Sequence, residues 1–259
     1  MNLSNKKVLI TGGSSGIGLA FAKALSKEVK KVIICGRSEE KLNNVKAENP
    51  QLDIIRCDVS DRNDVERLHQ TMTDQHPDLN MLINNAGVFQ FYSFEKRNHT
   101  FEALEKEIEI DFVAPMRLID KFLPDFMSKE EAAIVNVTSG LAFVPFSMAP
   151  VYCATKAGLH SYTESLREQL KNTNVSIYEM CPPLVDTPMT EKMPEAKGFK
   201  KENAEELASI FVKGLRNNKL EMRPKASSQL FTLRRFMSGK SVSMINKGNA
   251  DMEYLYNES

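Results

Sequence analysis

Short apolar runs alternate with longer amphipathic stretches along most of this chain, and this alternation limits its fold more strongly than any other feature. Six runs are short, β-branched and bounded by glycine, asparagine, aspartate or proline, which is typical of strands: Val8–Ile10, Val32–Ile34, Ile54–Ile55, Met81–Ile83, Ile134–Val137 and Val175–Tyr178. A weaker seventh strand is predicted near Leu220–Met222. Strands that alternate with helices form a parallel sheet covered on both faces. The sequence therefore predicts an α/β fold with a doubly wound parallel sheet of about seven strands.

The stretches between the strands carry apolar residues at helical spacing. Four groups repeat at three or four residues: Ile17, Phe21 and Leu25; Val65, Leu68 and Met72; Leu104, Ile108 and Phe112; Leu207, Phe211 and Leu215. Ser60 or Asp61 is the predicted cap of the helix that carries Val65. Because no repeat, low-complexity segment or linker divides the chain, we predict one domain over residues 1–259, with a basic C-terminal extension at about 223–259.

The overall charge excludes some classes of partner. Lys plus Arg is 34 and Asp plus Glu is 34, so no net field recruits nucleic acid or an anionic membrane. No signal peptide and no apolar run of ~20 residues is visible, which favours a cytoplasmic protein without a transmembrane segment. The four cysteines lack metal-ligand spacing, so they are expected to be reduced thiols and no metal site is predicted.

The first strand runs directly into a glycine-rich turn, Thr11-Gly12-Gly13-Ser14-Ser15-Gly16-Ile17-Gly18. Glycine lets the backbone turn tightly and approach a ligand closely. The helix that follows offers unpaired N–H groups and a positive dipole end to a pyrophosphate. Between a strand and a helix, this turn indicates a Rossmann-like dinucleotide-binding domain, the alternative being a tight connection with no ligand.

The ends of the second and third strands bear on the choice of cofactor. No acidic residue holds a ribose 2′-hydroxyl at the end of the second strand, where Arg37 instead offers a guanidinium to a 2′-phosphate. We therefore favour NADP(H), with NAD(H) as the alternative in which Arg37 stacks on adenine or is solvated. Asp58 after the third strand is either an acceptor for the adenine amino group or a helix cap.

Together the motifs resemble the short-chain dehydrogenase/reductase family over about residues 5–220. They are ThrGlyGlySerSerGlyIleGly at 11–18, Asp58-Val59, AsnAsnAlaGly at 84–87, Ser139, and Tyr-x3-Lys at 152–156. Ser139 lies 13 residues before Tyr152, which is the family spacing. The stretches VTSGLAFVPFSMAPVYCATK and CPPLVDTP are similar to a branch of oxidoreductases linked to D-alanine esterification of teichoic acids.

This resemblance implies an enzyme that moves hydride between a nicotinamide cofactor and a carbonyl or alcohol substrate. Tyr152 would be the acid–base group, Ser139 would bond the reacting oxygen, and Lys156 would lower the pKa of Tyr152 and bond the nicotinamide ribose. The remaining cofactor contacts implied by the family fall on Asn85, Ala86, Gly87, Pro182, Val185 and Thr187. The family's usual homodimer or homotetramer would use the helices at Leu104–Phe112 and Tyr152–Leu170.

Two positions depart from the family pattern. Asp111 stands where an asparagine often anchors a water behind the lysine, so we expect Asp111 to support a modified proton relay. Pro183 replaces a usual glycine and lacks an N–H, which predicts a local change in the nicotinamide wall. The rival function is a non-catalytic sensor or scaffold that binds NADP(H), for which the intact Ser139, Tyr152 and Lys156 would be unnecessary.

The last part of the sequence is basic and apolar together. No acid occurs from Met222 to Ala250, whereas six cations do: Arg223, Lys225, Arg234, Arg235, Lys240 and Lys247. One interpretation is a peripheral membrane contact or a surface that binds an anionic polymer. The other is a cover for the substrate pocket or a contact with a partner.

Overall fold

Seven parallel strands form one sheet in the order β3-β2-β1-β4-β5-β6-β7 in a computed structural model of the chain. The structure describes residues 1–193, 200–247, 249, 252, 254 and 255. The strands are β1 (Lys7–Thr11), β2 (Lys31–Gly36), β3 (Asp53–Arg56), β4 (Met81–Asn84), β5 (Ala132–Val137), β6 (Val175–Met180) and β7 (Glu221–Met222). All seven predicted strands are therefore confirmed, including the weak one at the edge.

The order of strands reverses between β1 and β4. The chain first builds outward from β1 to β3, then returns to pair β4 with β1 in the register Leu9 to Leu82. Ligands of doubly wound sheets bind where the order reverses, beyond the carboxyl ends of the strands. The topology thus fixes where a site is expected.

Helices cover both faces of the sheet, as the alternating pattern predicted. They are α1 (Gly16–Leu25), α2 (Glu39–Glu48), α3 (Arg62–Gln75), α4 (Phe101–Ile108), α5 (Ala114–Met127), α6 (Pro150–Gln169), α7 (Ala204–Arg216), α8 (Lys225–Phe236) and α9 (Ser238–Ile245). Asp61 is the cap of α3, since its Oδ1 accepts from the backbone N–H groups of Asn63 and Asp64.

The pleat of the strands divides the apolar core into two layers. Val8 and Ile10 of β1 face the layer that holds α1, α2 and α7, whereas Leu9 faces the layer that holds α3 and α5. Phe21 of α1 stacks on Phe211 of α7 with 4.1 Å between ring centroids. This contact holds the helix that follows the glycine-rich turn against α7.

The helix predicted over Leu104–Phe112 is interrupted. A π-helical turn at Glu109–Val113 joins α4 to α5, and its Ala114 N–H donates to the carbonyl oxygen of Glu109, five residues earlier. Pro115 explains the wider turn, because a proline has no N–H to bond the carbonyl of Asp111 in α-helical fashion. Such turns are frequent at functional sites.

The C-terminal extension forms α8 and α9, and α8 packs against the turn at Gly140–Ala142 and against α9. Gly248, Ala250, Asp251, Glu253 and residues 256–259 of this predicted extension lie outside the described residues. Within the described part of the chain, no helix combines the length and apolar character needed to cross a bilayer.

Candidate active site

A cleft of about 300 Å³ opens beyond the carboxyl ends of the strands. Most of the residues predicted to act on a cofactor or substrate line it: Gly12, Ser14, Ser15, Gly16, Ile17, Arg37, Asp58, Val59, Asn85, Ala86, Gly87, Ser139, Tyr152, Lys156, Pro182, Val185 and Thr187. Three further predicted residues, Thr11, Gly18 and Asp111, are not among the lining residues and stand behind the wall. The sequence therefore identified the cleft, but not how its wall is supported.

The glycine-rich turn has the geometry of a phosphate cradle. Gly12 has φ +65°, and a Cβ there would lie 2.9 Å from Cα of Ala86, so only glycine fits without strain. Ser15 caps α1 without a side-chain hydrogen bond, and the first turn of α1 carries no acidic residue. The first N–H groups of α1 are therefore available to an anion, which is the fit expected for a dinucleotide pyrophosphate.

Thr11 and Asn85 fasten this turn to the segment after β4. The Thr11 hydroxyl accepts from the backbone N–H groups of Asn85 and Ala86, each at 3.0 Å. The Asn85 side-chain amide donates to the Thr11 carbonyl oxygen at 2.9 Å. At Gly18 a Cβ would overlap the Gly12 carbonyl oxygen. Thr11 and Gly18 thus shape the cradle from beneath.

Cations and one carboxylate stand at the end of the cleft near β2 and β3. Arg37 is exposed and lines the cleft together with Lys41, four residues later in α2. Burial acts to raise the pKa of Asp58, but bonds from the Ser60 hydroxyl and N–H outweigh it, and the pKa lies below its ordinary value. Sequence reasoning missed Lys41, whose signal is its position in the first turn of the helix that follows Arg37.

The three predicted catalytic side chains come from the end of β5 and from α6. Ser139 follows the end of β5, and its hydroxyl accepts from the Leu141 N–H at 3.1 Å. Tyr152 and Lys156 lie one turn apart on α6, with Lys156 Nζ 5.5 Å from the centre of the Tyr152 ring. Lys156 is buried and donates to the Val137 carbonyl oxygen at 3.4 Å. The three side chains share one end of the cleft.

The pKa of Tyr152 lies above its ordinary value, contrary to the expectation that Lys156 lowers it. Burial is the largest cause and the carboxylate of Asp111 is the second, while the Ser139 side chain acts in the opposite direction. The Lys156 ammonium is paired with Asp111, whose Oδ2 lies 3.5 Å from Nζ. Tyr152 is therefore protonated throughout the neutral range.

Asp111 is fully buried behind Lys156, in the π-helical turn. Its Oδ1 accepts from the Val88 N–H at 2.8 Å. Burial raises the pKa of Asp111, opposed by the charge of Lys156 and the Val88 N–H. The departure from asparagine thus introduces an ionisable group next to the lysine.

The segment after β6 forms another wall of the cleft, and its Thr187 lies beside Gly16 of the glycine-rich turn. The Pro182 carbonyl oxygen accepts from the Gly140 N–H at 2.7 Å, which ties this segment to the turn after Ser139. The Val185 carbonyl oxygen accepts from the Thr190 hydroxyl at 2.5 Å. The Thr187 hydroxyl lies 3.2 Å from that of Thr190. Pro183 lines the cleft, so the second departure from the family pattern lies in its wall.

Apolar side chains pack around Tyr152 on its outer side. Phe89 meets the Tyr152 ring edge-on with 4.8 Å between centroids. Leu230 and Phe231 of α8 belong to the same apolar cluster. α8 therefore covers the region next to Tyr152, in line with the second interpretation of the basic segment.

The segment that joins α8 to α9 is exposed and carries basic and apolar residues together. Residues 234–240 are all exposed and include Arg234, Arg235, Phe236, Met237 and Lys240. The membrane contact suggested by this composition stays a prediction.

Cys153 lies between the two proposed catalytic residues in sequence but faces elsewhere. Its sulfur accepts from the Phe146 N–H at 3.2 Å, and the residue is buried. Burial raises the pKa of the thiol to about 11. Cys153 is therefore a protonated packing group.

Sequence reasoning also missed a polar network beneath the cleft, because no local motif marks it. The Thr138 hydroxyl donates to Glu179 at 2.7 Å, and His160 Nδ1 lies 2.9 Å from both oxygens of Glu179. Bonding to Glu179 raises the pKa of His160 despite burial. The network connects α6, β5 and β6 and so positions Ser139 and Tyr152 relative to each other.

We expect the His160–Glu179 pair to make stability depend on pH. A histidine whose pKa is raised by folding contributes stability that is complete below its unfolded pKa of about 6.5 and is lost as pH rises through the folded pKa. In urea unfolding, the stability advantage of the wild type over His160→Gln should therefore shrink from acidic to alkaline pH. His76→Gln is the comparison: burial lowers the pKa of His76, so its stability difference should change with pH in the opposite direction. A constant difference for His160→Gln would contradict the expectation.

The chain is similar to known proteins over most of its length. The profile of the family described as short chain dehydrogenase matches residues 6–198. The chain is 45% identical over 224 residues to the "Uncharacterized oxidoreductase DltE" of Bacillus subtilis (strain 168), covering 86% of this chain and 89% of that protein.

Two solved structures have the same fold. A short chain dehydrogenase from Burkholderia cenocepacia J2315 in complex with NADP has a TM-score of 0.82 at 23% identity, covering 95% of this chain and 99% of that one. A short chain dehydrogenase/reductase from Burkholderia phymatum in complex with NAD has a TM-score of 0.79 at 19% identity, covering 93% and 96%.

Proposed function

The chain belongs to the short-chain dehydrogenase/reductase family of oxidoreductases, and on this premise we propose that it reduces a carbonyl compound with NADPH, using Tyr152 as the proton donor. The observation that carries the proposal is the single cleft shared by the glycine-rich turn and by Ser139, Tyr152 and Lys156. A phosphate cradle and a proton donor within one cleft is the arrangement that hydride transfer requires. A sensor or scaffold would need the cradle alone.

The cofactor would be held from its phosphates to its nicotinamide along the cleft. Gly12 and the first N–H groups of α1 would bind the pyrophosphate, Arg37 and Lys41 the 2′-phosphate, and Thr187 the carboxamide. When bound, NADPH supplies the hydride. The protein supplies position and the proton.

The raised pKa of Tyr152 favours the direction of reduction. A phenol that stays protonated at neutral pH is able to donate its proton to a carbonyl oxygen as negative charge develops there. The Ser139 hydroxyl would hydrogen-bond the same oxygen and stabilise that charge. The Lys156 ammonium would then face the tyrosinate that remains.

The surroundings of Tyr152 favour a substrate with an apolar substituent on its carbonyl carbon. Phe89, Leu141, Met193 and Leu230 all belong to the apolar cluster that adjoins Tyr152. We therefore propose aldehydes or ketones with aliphatic or aromatic groups as the class to test. The measurement is the loss of NADPH absorbance with a panel of such compounds. Polar and charged carbonyl compounds serve as the comparison.

Arg37 offers a specific test of cofactor preference. Arg37→Leu removes a charge-assisted contact worth about 1.5–3 kcal/mol, so the Kd for NADPH should rise roughly 10–100-fold. The Kd for NADH should stay close to the wild-type value, because NADH has no 2′-phosphate. Fluorescence titration with both cofactors measures this.

The control for this experiment is Arg62→Leu, which removes an exposed arginine at the start of α3. Equal weakening of NADPH and NADH by Arg37→Leu would mean that Arg37 stacks on adenine. A wild-type preference for NADH would overturn the proposed cofactor.

A further inference from the structure

Two fully buried carboxyl groups lie one helical turn apart behind the active-site lysine. Glu107 is at the end of α4, Asp111 is in the π-helical turn, and both are 0% exposed. An ionised carboxyl group in the protein interior needs a partner charge or it takes up a proton. Lys156 is the cation that acts on both groups, so two carboxyls compete for one ammonium.

Asp111 has a cation beside it, whereas Glu107 has a neutral hydroxyl group. Asp111 has the Val88 N–H on one oxygen at 2.8 Å and Lys156 Nζ 3.5 Å from the other. Glu107 Oε2 accepts from the Tyr92 hydroxyl at 2.6 Å, and the Gln90 N–H also acts on this carboxyl. Glu107 Oε1 and Asp111 Oδ2 both lack a hydrogen-bond partner of ordinary geometry among the described residues, but only Asp111 Oδ2 has the Lys156 ammonium beside it. Asp111 therefore occupies the better position for the negative charge, and Glu107 the better position for the proton.

The titratable groups that interact electrostatically with Glu107 come from three elements. Tyr92 belongs to the segment after β4, Asp111 to the same helical stretch as Glu107, and Tyr152, Cys153 and Lys156 to α6. Burial raises the pKa of Glu107 to about 7, with the charge of Asp111 adding to the shift while the Tyr92 bond and Lys156 oppose it.

We propose that Glu107 and Asp111 hold one proton between them, mainly on Glu107, and that this pair restores the proton of Tyr152 through Lys156. The destination of the proton rests on the proposed function, whereas the sharing of the proton does not. After Tyr152 gives its proton to the product oxygen, the Lys156 ammonium protonates the tyrosinate and regains a proton from the carboxyl pair. Both carboxyls are then ionised until the pair takes a proton from water. Glu107 thus acts on Tyr152 only through Lys156 and never touches the substrate.

Infrared spectroscopy of the protein alone tests the shared proton. At about pH 6 the wild type should show the C=O stretch of a buried protonated carboxyl, which fades as pH rises through about 7. The band should be missing in Glu107→Gln and unchanged in Glu105→Gln, which makes the same chemical change at an exposed position of α4. A wild type without the band, or a band that persists in Glu107→Gln, overturns the proposal.

Two further variants keep the test valid if Glu107→Gln fails to fold. Asp111→Asn removes the charge that raises the pKa of Glu107, so the band should fade at lower pH. Tyr92→Phe removes a bond that opposes the shift, so the band should persist to higher pH. A band that fades at the wild-type pH in both variants contradicts the arrangement.

The pH dependence of turnover tests whether the carboxyl pair restores the proton of Tyr152. With NADPH and a reducible aldehyde, wild-type kcat should be constant at acidic pH and fall as Glu107 ionises. Glu107→Gln should lose this inflection and Glu105→Gln should keep it. An inflection that survives in Glu107→Gln rules out the carboxyl pair as the source of the proton. If the wild type shows the infrared band but reduces no carbonyl compound, the proposed function fails and the shared proton stands.

Discussion

The Tyr152→Phe variant is expected to lose about 10²–10⁴-fold in kcat for carbonyl reduction, which is the usual contribution of general acid catalysis. Phenylalanine keeps the ring that packs against Phe89 at 4.8 Å and below Lys156 Nζ at 5.5 Å. It removes only the hydroxyl group that would protonate the substrate. The Kd for NADPH should therefore change little while kcat collapses, and single-turnover measurements of NADPH absorbance report the chemical step.

Tyr162→Phe is the matched control. Tyr162 is partly buried on the same helix, packs against the core layer below α6, and does not line the cleft. Its variant should reduce the substrate at the wild-type rate. Undiminished kcat in Tyr152→Phe would contradict the mechanism. A wild type that binds NADPH tightly and reduces no carbonyl compound would favour the sensor or scaffold.

The Lys156→Met variant is expected to lose about 3–5 kcal/mol of unfolding free energy at alkaline pH, the cost of leaving a buried charge without its partner. Lys156 is 4% exposed, and methionine fills the same space without the ammonium near Asp111. The loss should shrink at acidic pH. A carboxyl whose pKa is raised by folding destabilises the protein above its unfolded pKa, and the penalty disappears as pH falls below that value.

The double variant Lys156→Met/Asp111→Asn tests this explanation. Asparagine retains an acceptor for the Val88 N–H and carries no charge, so much of the lost stability should return. Urea unfolding at several pH values, with Asp111→Asn alone as reference, gives the coupling between the two sites. A loss that is independent of pH and of residue 111 would mean that packing, not charge, is responsible.

Features encoded in short stretches of sequence were predicted correctly. Six short apolar runs and a weaker seventh predicted the seven strands, glycine positions predicted the turn before α1, and the x3 spacing of Tyr152 and Lys156 placed both on one turn of α6. These features depend on local backbone geometry, which a few neighbouring residues determine. The family assignment rested on the same stretches and is confirmed.

Features that depend on distant contacts were missed or wrongly expected. The pKa of Tyr152 is raised first by burial and then by the carboxylate of Asp111, which lies 41 positions earlier, and no spacing rule reveals either cause. The helical pattern predicts that Glu107 is a polar residue on the exposed face of an amphipathic helix. In the structure it is buried and bonded to Tyr92. Burial of a charged residue is decided by tertiary packing, so sequence periodicity alone could not find this pair.

The stacking of Phe21 on Phe211 has a consequence for synthesis on the ribosome. The cofactor cradle is encoded within the first 18 residues, but the apolar face of the helix behind it is covered by a segment 190 positions later. At about 5–20 residues per second, that cover emerges roughly 10–40 s after Phe21 is made. The nascent chain therefore carries an unprotected helix for most of its translation. The glycine-rich turn is therefore synthesised first, but its supporting helix is fully packed only after most of the chain has been made.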